Sequence, residues 1–170
     1  MKSRLQRLRE IMAVQKLDGL FISQPDNRRY LSDFTGSDGY LLITGDKAVA
    51  AVDFRYTEQA AKQCAGFEVF RIAGELPLWF PELVKYLKGD QLGFEADHVA
   101  VALHQQMIGC FQGLDRAPRL APTRGITSGL RAVKEPAEVA AIERAVAISD
   151  AAFEHIRGWM EPGLTELQVA

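Results

Sequence analysis

Apolar residues along this chain recur at two spacings, and the switches between them predict the elements. Lys2 to Lys16 carries Leu5, Leu8, Ile11 and Met12 at helical spacing, which marks an amphipathic helix. Asp18-Gly19 breaks it, and Leu20-Phe21-Ile22 follows as a short buried strand. Pro25 suits the first position of a short helix running to about Leu31. Gly36 and Gly39 bracket a loop, Thr35 to Gly39. The clearest β pattern comes next. Tyr40 to Thr44 and Ala48 to Val52 flank Gly45-Asp46-Lys47, a hairpin with a short Gly-containing connection.

Asp53 is expected to cap a helix from about Arg55 to Cys64. Then follow a strand (Phe67 to Ile72), a helix (Leu78 to Leu87, with Pro77 near its start), a strand (Gln91 to Glu95) and a helix (Val99 to Phe111). A weaker strand, Leu114 to Leu120, is read as ended by Pro118 and Pro122. Helices and strands alternate around one hairpin. The fold class is α/β, with a mixed β-sheet of about six strands flanked by helices: crossovers give parallel neighbours and the hairpin an antiparallel pair.

The last stretch differs. Thr123 to Ser128 is polar and Gly-containing and reads as a linker. The domains are therefore assigned as 1–125 and 126–170. A long helix is predicted from Pro136, at its first position, to about Arg157. Its apolar stripe is Val139, Ile142, Val146, Phe153 and Ile156, and such a stripe must pack on something. Dimerisation or packing onto the preceding domain is expected. Glu161-Pro162-Gly163 stops the helix, and Thr165 caps another, Glu166 to Ala170, where the sequence ends.

Composition narrows the function. The chain has 170 residues, 48% hydrophobic and 25% charged, with a formal net charge of -2 and a pI near 5.9. That balance argues against a nucleic-acid or membrane-surface protein, which carries a basic patch. Lys2, Arg4, Arg7 and Arg9 cluster, but on the polar side of an amphipathic helix. Cys64 and Cys110 have neither metal-like nor redox-like spacing and read as free thiols of a reducing compartment. The amino terminus lacks the apolar core of a signal peptide. No apolar run approaches the roughly 18 residues that span a bilayer. A cytoplasmic location is expected.

Candidate chemistry is sparse. Glu95, Asp97, His98 and His104 form the densest cluster. His98 and His104 are six apart, on different faces of a helix, whereas a zinc pair on one helix needs three or four. His155 falls on the flank of the long helix. Thr35 to Gly39 is glycine-rich, yet it follows a helix and precedes a strand, the reverse of a phosphate loop. A tight connection into the hairpin is the simpler reading, although Ser37, Asp38 and Tyr40 could reach a partner. Asp18, Asp53, Glu95 and Asp115 are candidates for a two-metal nuclease site, but turn and capping roles explain Asp18 and Asp53.

Five strings in register carry a resemblance: NRRYLSDFTGSDGYLLIT (Asn27 to Thr44), AVDFRYTEQA (Ala51 to Ala60), LGFEAD (Leu92 to Asp97), LRAVKEPAEVAAIERAVAISDAAF (Leu130 to Phe153) and PGLTE (Pro162 to Glu166). Together they resemble the Xaa-Pro aminopeptidase, prolidase and creatinase family. The first three match its amino-terminal domain, and the last two the opening of its "pita-bread" catalytic domain. The resemblance implies a ribonuclease H-like mixed sheet followed by a long helix of a truncated catalytic domain. It implies a homodimer and a peptide substrate with proline at the second position. It implies two divalent metal ions (manganese, cobalt or zinc), held by ligands beyond position 170. This segment would bind no cofactor and be inactive alone. By position, the loop Phe34 to Tyr40, with Ser37 and Asp38 at its tip, and Arg55 would contact substrate in a partner's active site. Arg28 and Arg29 are placed on a surface helix. A creatinase-like metal-free hydrolase and a non-catalytic scaffold are the alternatives that the same resemblance allows.

Overall fold

The computed structural model describes residues 3–113 and 117–169. Helix α1 (Arg4–Val14) opens with a capping box. The Ser3 hydroxyl accepts from Gln6 N at 3.2 Å, and Gln6 Oε1 accepts from Ser3 N at 2.9 Å. Strand β1 (Gly19–Ile22), helix α2 (Pro25–Ser32), strand β2 (Tyr40–Thr44) and strand β3 (Ala48–Val52) follow. The predicted hairpin strands match β2 and β3 residue for residue. Next come α3 (Thr57–Gln63), β4 (Glu68–Arg71), α4 (Leu76–Val84), β5 (Gln91–Glu95), α5 (Val101–Gly109), β6 (Arg119–Thr123) and α6 (Ile126–Ala132).

The six strands form one mixed sheet in the order β4-β3-β2-β1-β5-β6. Strand β2 is antiparallel to both β1 and β3. The other three pairings, β1 with β5, β3 with β4 and β5 with β6, are parallel. Only β2 therefore runs against the rest.

Strand residues alternate between the two faces, and the core divides accordingly. Leu20, Ile22, Leu41, Ile43, Ala50 and Val52 face a cluster that holds Leu8 and Met12 of α1, Tyr30 and Leu31 of α2, and Ala60 of α3. Phe21, Leu42, Val49 and Ala51 face the other cluster, with Trp79, Phe80 and Leu83 of α4 and Met107 of α5. Helices cover both faces, so the central strands are apolar throughout instead of alternating with polar residues.

Three local expectations need correction. Asp53 does not cap α3: the cap position is Tyr56, with no side-chain cap bond. Asp53 Oδ1 instead accepts from Arg55 N at 2.8 Å, a turn of the aspartate on its own backbone that delays the helix to Thr57. The last strand is Arg119–Thr123, not Leu114 to Leu120, and residues 114–116 lie outside the described set. Pro122 sits inside it. An edge strand tolerates this, because backbone groups facing away from the ladder need no partner. The stretch read as a linker, Thr123 to Ser128, holds the end of β6 and the start of α6.

The chain divides into two compact units, one up to Arg131 and one from Ala132. The second consists of α7 (Pro136–Trp159) and the short α8 (Glu166–Val169). Pro136 opens α7 as predicted, and a capping box joins Glu135 with Glu138. None of its residues is buried, and Val139, Ile142, Val146 and Phe153 are exposed. Among the described residues, no helix is long and apolar enough to cross a membrane.

Phe21 is fully buried and touches two rings, Tyr40 at 5.0 Å and Phe80 at 5.3 Å. Phe21→Ala should destabilise the first unit by about 3–5 kcal/mol. Urea unfolding followed through Trp79 fluorescence, in a Trp159→Phe background, measures this.

Candidate functional site

The sheet topology decides what meets at its edge. The carboxyl ends of β1, β3, β4, β5 and β6 lie together, and the reversed β2 brings its amino end there too. The loop before β2 therefore stands beside the segments that leave β3 and β4. The β2–β3 register pairs Tyr40 with Ala51. Asp38, in the bend before β2, and Asp53, just after β3, line this same edge.

Arg55 stands between the two carboxylates. Its Nη2 donates to Asp53 Oδ2 at 2.6 Å and lies 3.8 Å from Asp38 Oδ2. Its Nε adds a second bond to Asp53 at 2.9 Å. The hydrogen bonds from Arg55 hold the Asp53 carboxyl below the usual aspartate range, and Asp53 in turn raises the Arg55 guanidinium. Ser37 Oγ and the Tyr56 hydroxyl are 2.6 Å apart. Thr35 N donates to Gln63 Oε1 at 3.0 Å. Ser37, Asp38 and Arg55 are all exposed. The three residues singled out in the sequence thus stand together at one edge, joined through Tyr56 and Asp53.

Beside them opens a cavity of about 520 Å³ lined by Asp38, Tyr40, Asp53, Phe54, Arg71 and Trp79, among others. Its wall is aromatic: Tyr40 stacks on Trp79 at 5.5 Å. Phe54 is 70% exposed at its rim. Burial pushes the Tyr40 phenol up, and Asp38 adds to that while Arg28 opposes it.

Arg28 is the residue that sequence reasoning misplaced. Arg29 is exposed as expected, but Arg28 is buried. It shares the inner face of α2 with Asn27 and Leu31. That spacing was the available clue, since position 28 falls three residues before Leu31.

The acidic and histidine candidates have structural duties. Glu95 Oε2 accepts from Ser23 N at 2.8 Å and Gln24 N at 2.7 Å, and Oε1 from Asn27 Nδ2 at 2.6 Å. His98 lies in a turn after β5, not on a helix, with Nδ1 2.9 Å from Ser23 Oγ. His104 stacks on Phe94. Asp18 accepts from Asp90 N and Gln91 N, both at 2.9 Å, and precedes β1 at the opposite edge from Glu95 and Asp53. Asp115 lies outside the described residues. Among the described residues, no three His, Cys, Asp or Glu side chains gather as a metal site. Burial raises both thiols, Cys64 and Cys110, which disfavours the nucleophilic thiolate.

Residues 4–133 match the family model of the Creatinase/Prolidase N-terminal domain. The chain belongs to this family. It is 35% identical over 167 residues to the peptidase YqhT of Bacillus subtilis, covering 98% of this chain and 46% of that protein. The Xaa-Pro dipeptidase of Bacillus anthracis superposes with a TM-score of 0.87 at 34% identity, over 97% of this chain and 45% of that one. The N-terminal domain of the cytoplasmic peptidase PepQ of Mycobacterium tuberculosis superposes with a TM-score of 0.67 at 33% identity, over 75% of this chain and 97% of that domain. The chain thus spans about half the length of the longer relatives. The creatinase/prolidase domain accounts for the sheet and its flanking helices.

The Asp53–Arg55 pair gives a titration test. A carboxyl held low in the folded state adds stability above its unfolded pKa and loses it as pH falls through the folded value. Nuclear magnetic resonance should place Asp53 below an ordinary aspartate, and Arg55→Ala should return it upward. Added salt should shrink the difference, because the pair is exposed.

Proposed function

We propose that this chain is the amino-terminal, non-catalytic part of a metal-dependent Xaa-Pro peptidase, an aminopeptidase or dipeptidase. The match to the Bacillus anthracis dipeptidase carries this reading, because it extends over 97% of the chain and so beyond the creatinase/prolidase domain into α7. On this reading the segment from α7 onward opens the catalytic domain. The exposed stripe of α7, Val139, Ile142, Val146 and Phe153, is the face that the rest of that domain covers. The enzyme is cytoplasmic and takes peptides with proline at the second position.

The catalytic domain of such an enzyme holds two divalent metal ions, manganese, cobalt or zinc. The described residues here do not gather a matching donor set, so no catalytic step is assigned to this segment. Its task is to support a homodimer and to shape the substrate site. Ser37, Asp38 and Arg55 offer a hydroxyl, a carboxylate and a fixed guanidinium on one exposed edge. That set suits the polar backbone and charged ends of a short peptide bound in the partner subunit.

Full-length protein supplied with manganese or cobalt should cleave Xaa-Pro peptides, and the 170-residue chain alone should not. Absence of cleavage across a panel of Xaa-Pro substrates would overturn the assignment. Asp38→Asn in the full-length protein should raise KM about three- to tenfold, the scale of one exposed charged contact, while kcat stays near its original value.

A further inference from the structure

The loop that carries Ser37 and Asp38 is held from beneath by a charge. Arg28 is 3% exposed. Its Nη1 donates to the carbonyl oxygen of Gly39 and its Nη2 to that of Gly36 at 2.8 Å. One planar group therefore grips both ends of the segment whose middle is Ser37 and Asp38. The guanidinium carbon lies 5.6 Å from the centroid of the Phe34 ring. Phe34 meets Tyr56 edge-on at 5.8 Å, and the Tyr56 hydroxyl holds Ser37.

The backbone is shaped to allow this grip. A Cβ at Gly36 would lie 2.2 Å from the Phe34 ring. Gly39 has φ +134, and a Cβ there would meet Ala51 O at 3.0 Å. Arg28 Nε has no partner among the described residues. Burial lowers the Arg28 pKa, against the pull of Asp38, Tyr40, Tyr56 and Cys64. The side chain stays protonated, as arginine does in proteins.

We propose that Arg28 is the positioning residue of the Gly36–Gly39 loop: its buried guanidinium clamps both carbonyl oxygens and so presets Ser37 and Asp38 before a peptide arrives. The inference rests on the reading that this loop faces substrate. It adds that the loop is ordered in advance, so that binding does not have to order it. Lysine keeps the charge but not the planar fork, so it cannot reproduce the double grip.

The test uses the full-length enzyme and Arg28→Lys. KM for an Xaa-Pro peptide should rise about tenfold with kcat within about twofold, the pattern of lost binding and not of lost chemistry. Hydrogen exchange of 36–39 should quicken while β2 and β3 stay protected. Unchanged KM in Arg28→Lys, alongside a raised KM in Asp38→Asn, would overturn the role of Arg28 alone. Unchanged KM in both variants would overturn the substrate-facing reading itself. A second measurement needs no variant and covers the case in which Arg28→Lys does not fold. In the unsubstituted enzyme, exchange of 36–39 should already be slow and change little on saturation with an Xaa-Pro analogue whose scissile bond is reduced. Strong slowing on saturation would show a loop ordered by ligand and refute presetting.

Discussion

Strand β2 runs against both of its neighbours, and what gathers at the carboxyl edge of the sheet depends on that reversal. A parallel β2 would carry its preceding loop to the far edge, away from the segments that leave β3 and β4. The antiparallel pairings hold the reversal in place. A slip of one residue in that register would turn Leu41 and Ile43 out of one core and Leu42 out of the other. The arrangement of the edge is thus enforced by the burial of the sheet's two faces.

That edge also carries an electrostatic cost, met by local compensation. Asp38 and Asp53 share it, and a single guanidinium, Arg55, stands between them. Arg28 meets a harsher problem. Removing a guanidinium from water costs several kcal/mol. Two backbone carbonyls, an aromatic face and a nearby carboxylate offset it. Glu95 works in the same manner at the start of α2, where its carboxylate answers two backbone N–H groups and the Asn27 amide. Glu95 joins elements distant in sequence, and Arg28 ties α2 to the loop that follows it; their partners explain why both are charged and yet buried or half-buried.

The hairpin was legible because its signal is local: two apolar runs and a Gly-containing turn specify both strands. The six-strand mixed sheet followed from the alternation of elements around it. The convergence of Ser37, Asp38 and Arg55 was only partly legible, since it needs the register of β2 on β3. Charge normally means exposure, so the sequence points Arg28 to the surface. Its partners are carbonyl oxygens, which leave no trace in residue identity. Pro122 looks like a terminator from sequence alone, which does not say which strand lies at the edge. Asp53 looks like a helix cap because a cap and a turn on the residue's own backbone use the same side chain.

The proline in β6 has a consequence for assembly. An edge strand is open to recruitment by a strand from another molecule, which adds itself to the sheet by backbone hydrogen bonding. Pro122 has no N–H to offer, and Pro118 stands just before the strand begins. Side-by-side fusion of two such sheets through β6 is therefore obstructed. At this edge, contact with another molecule is left to side chains and loops, which can be specific, and not to an indiscriminate backbone zipper.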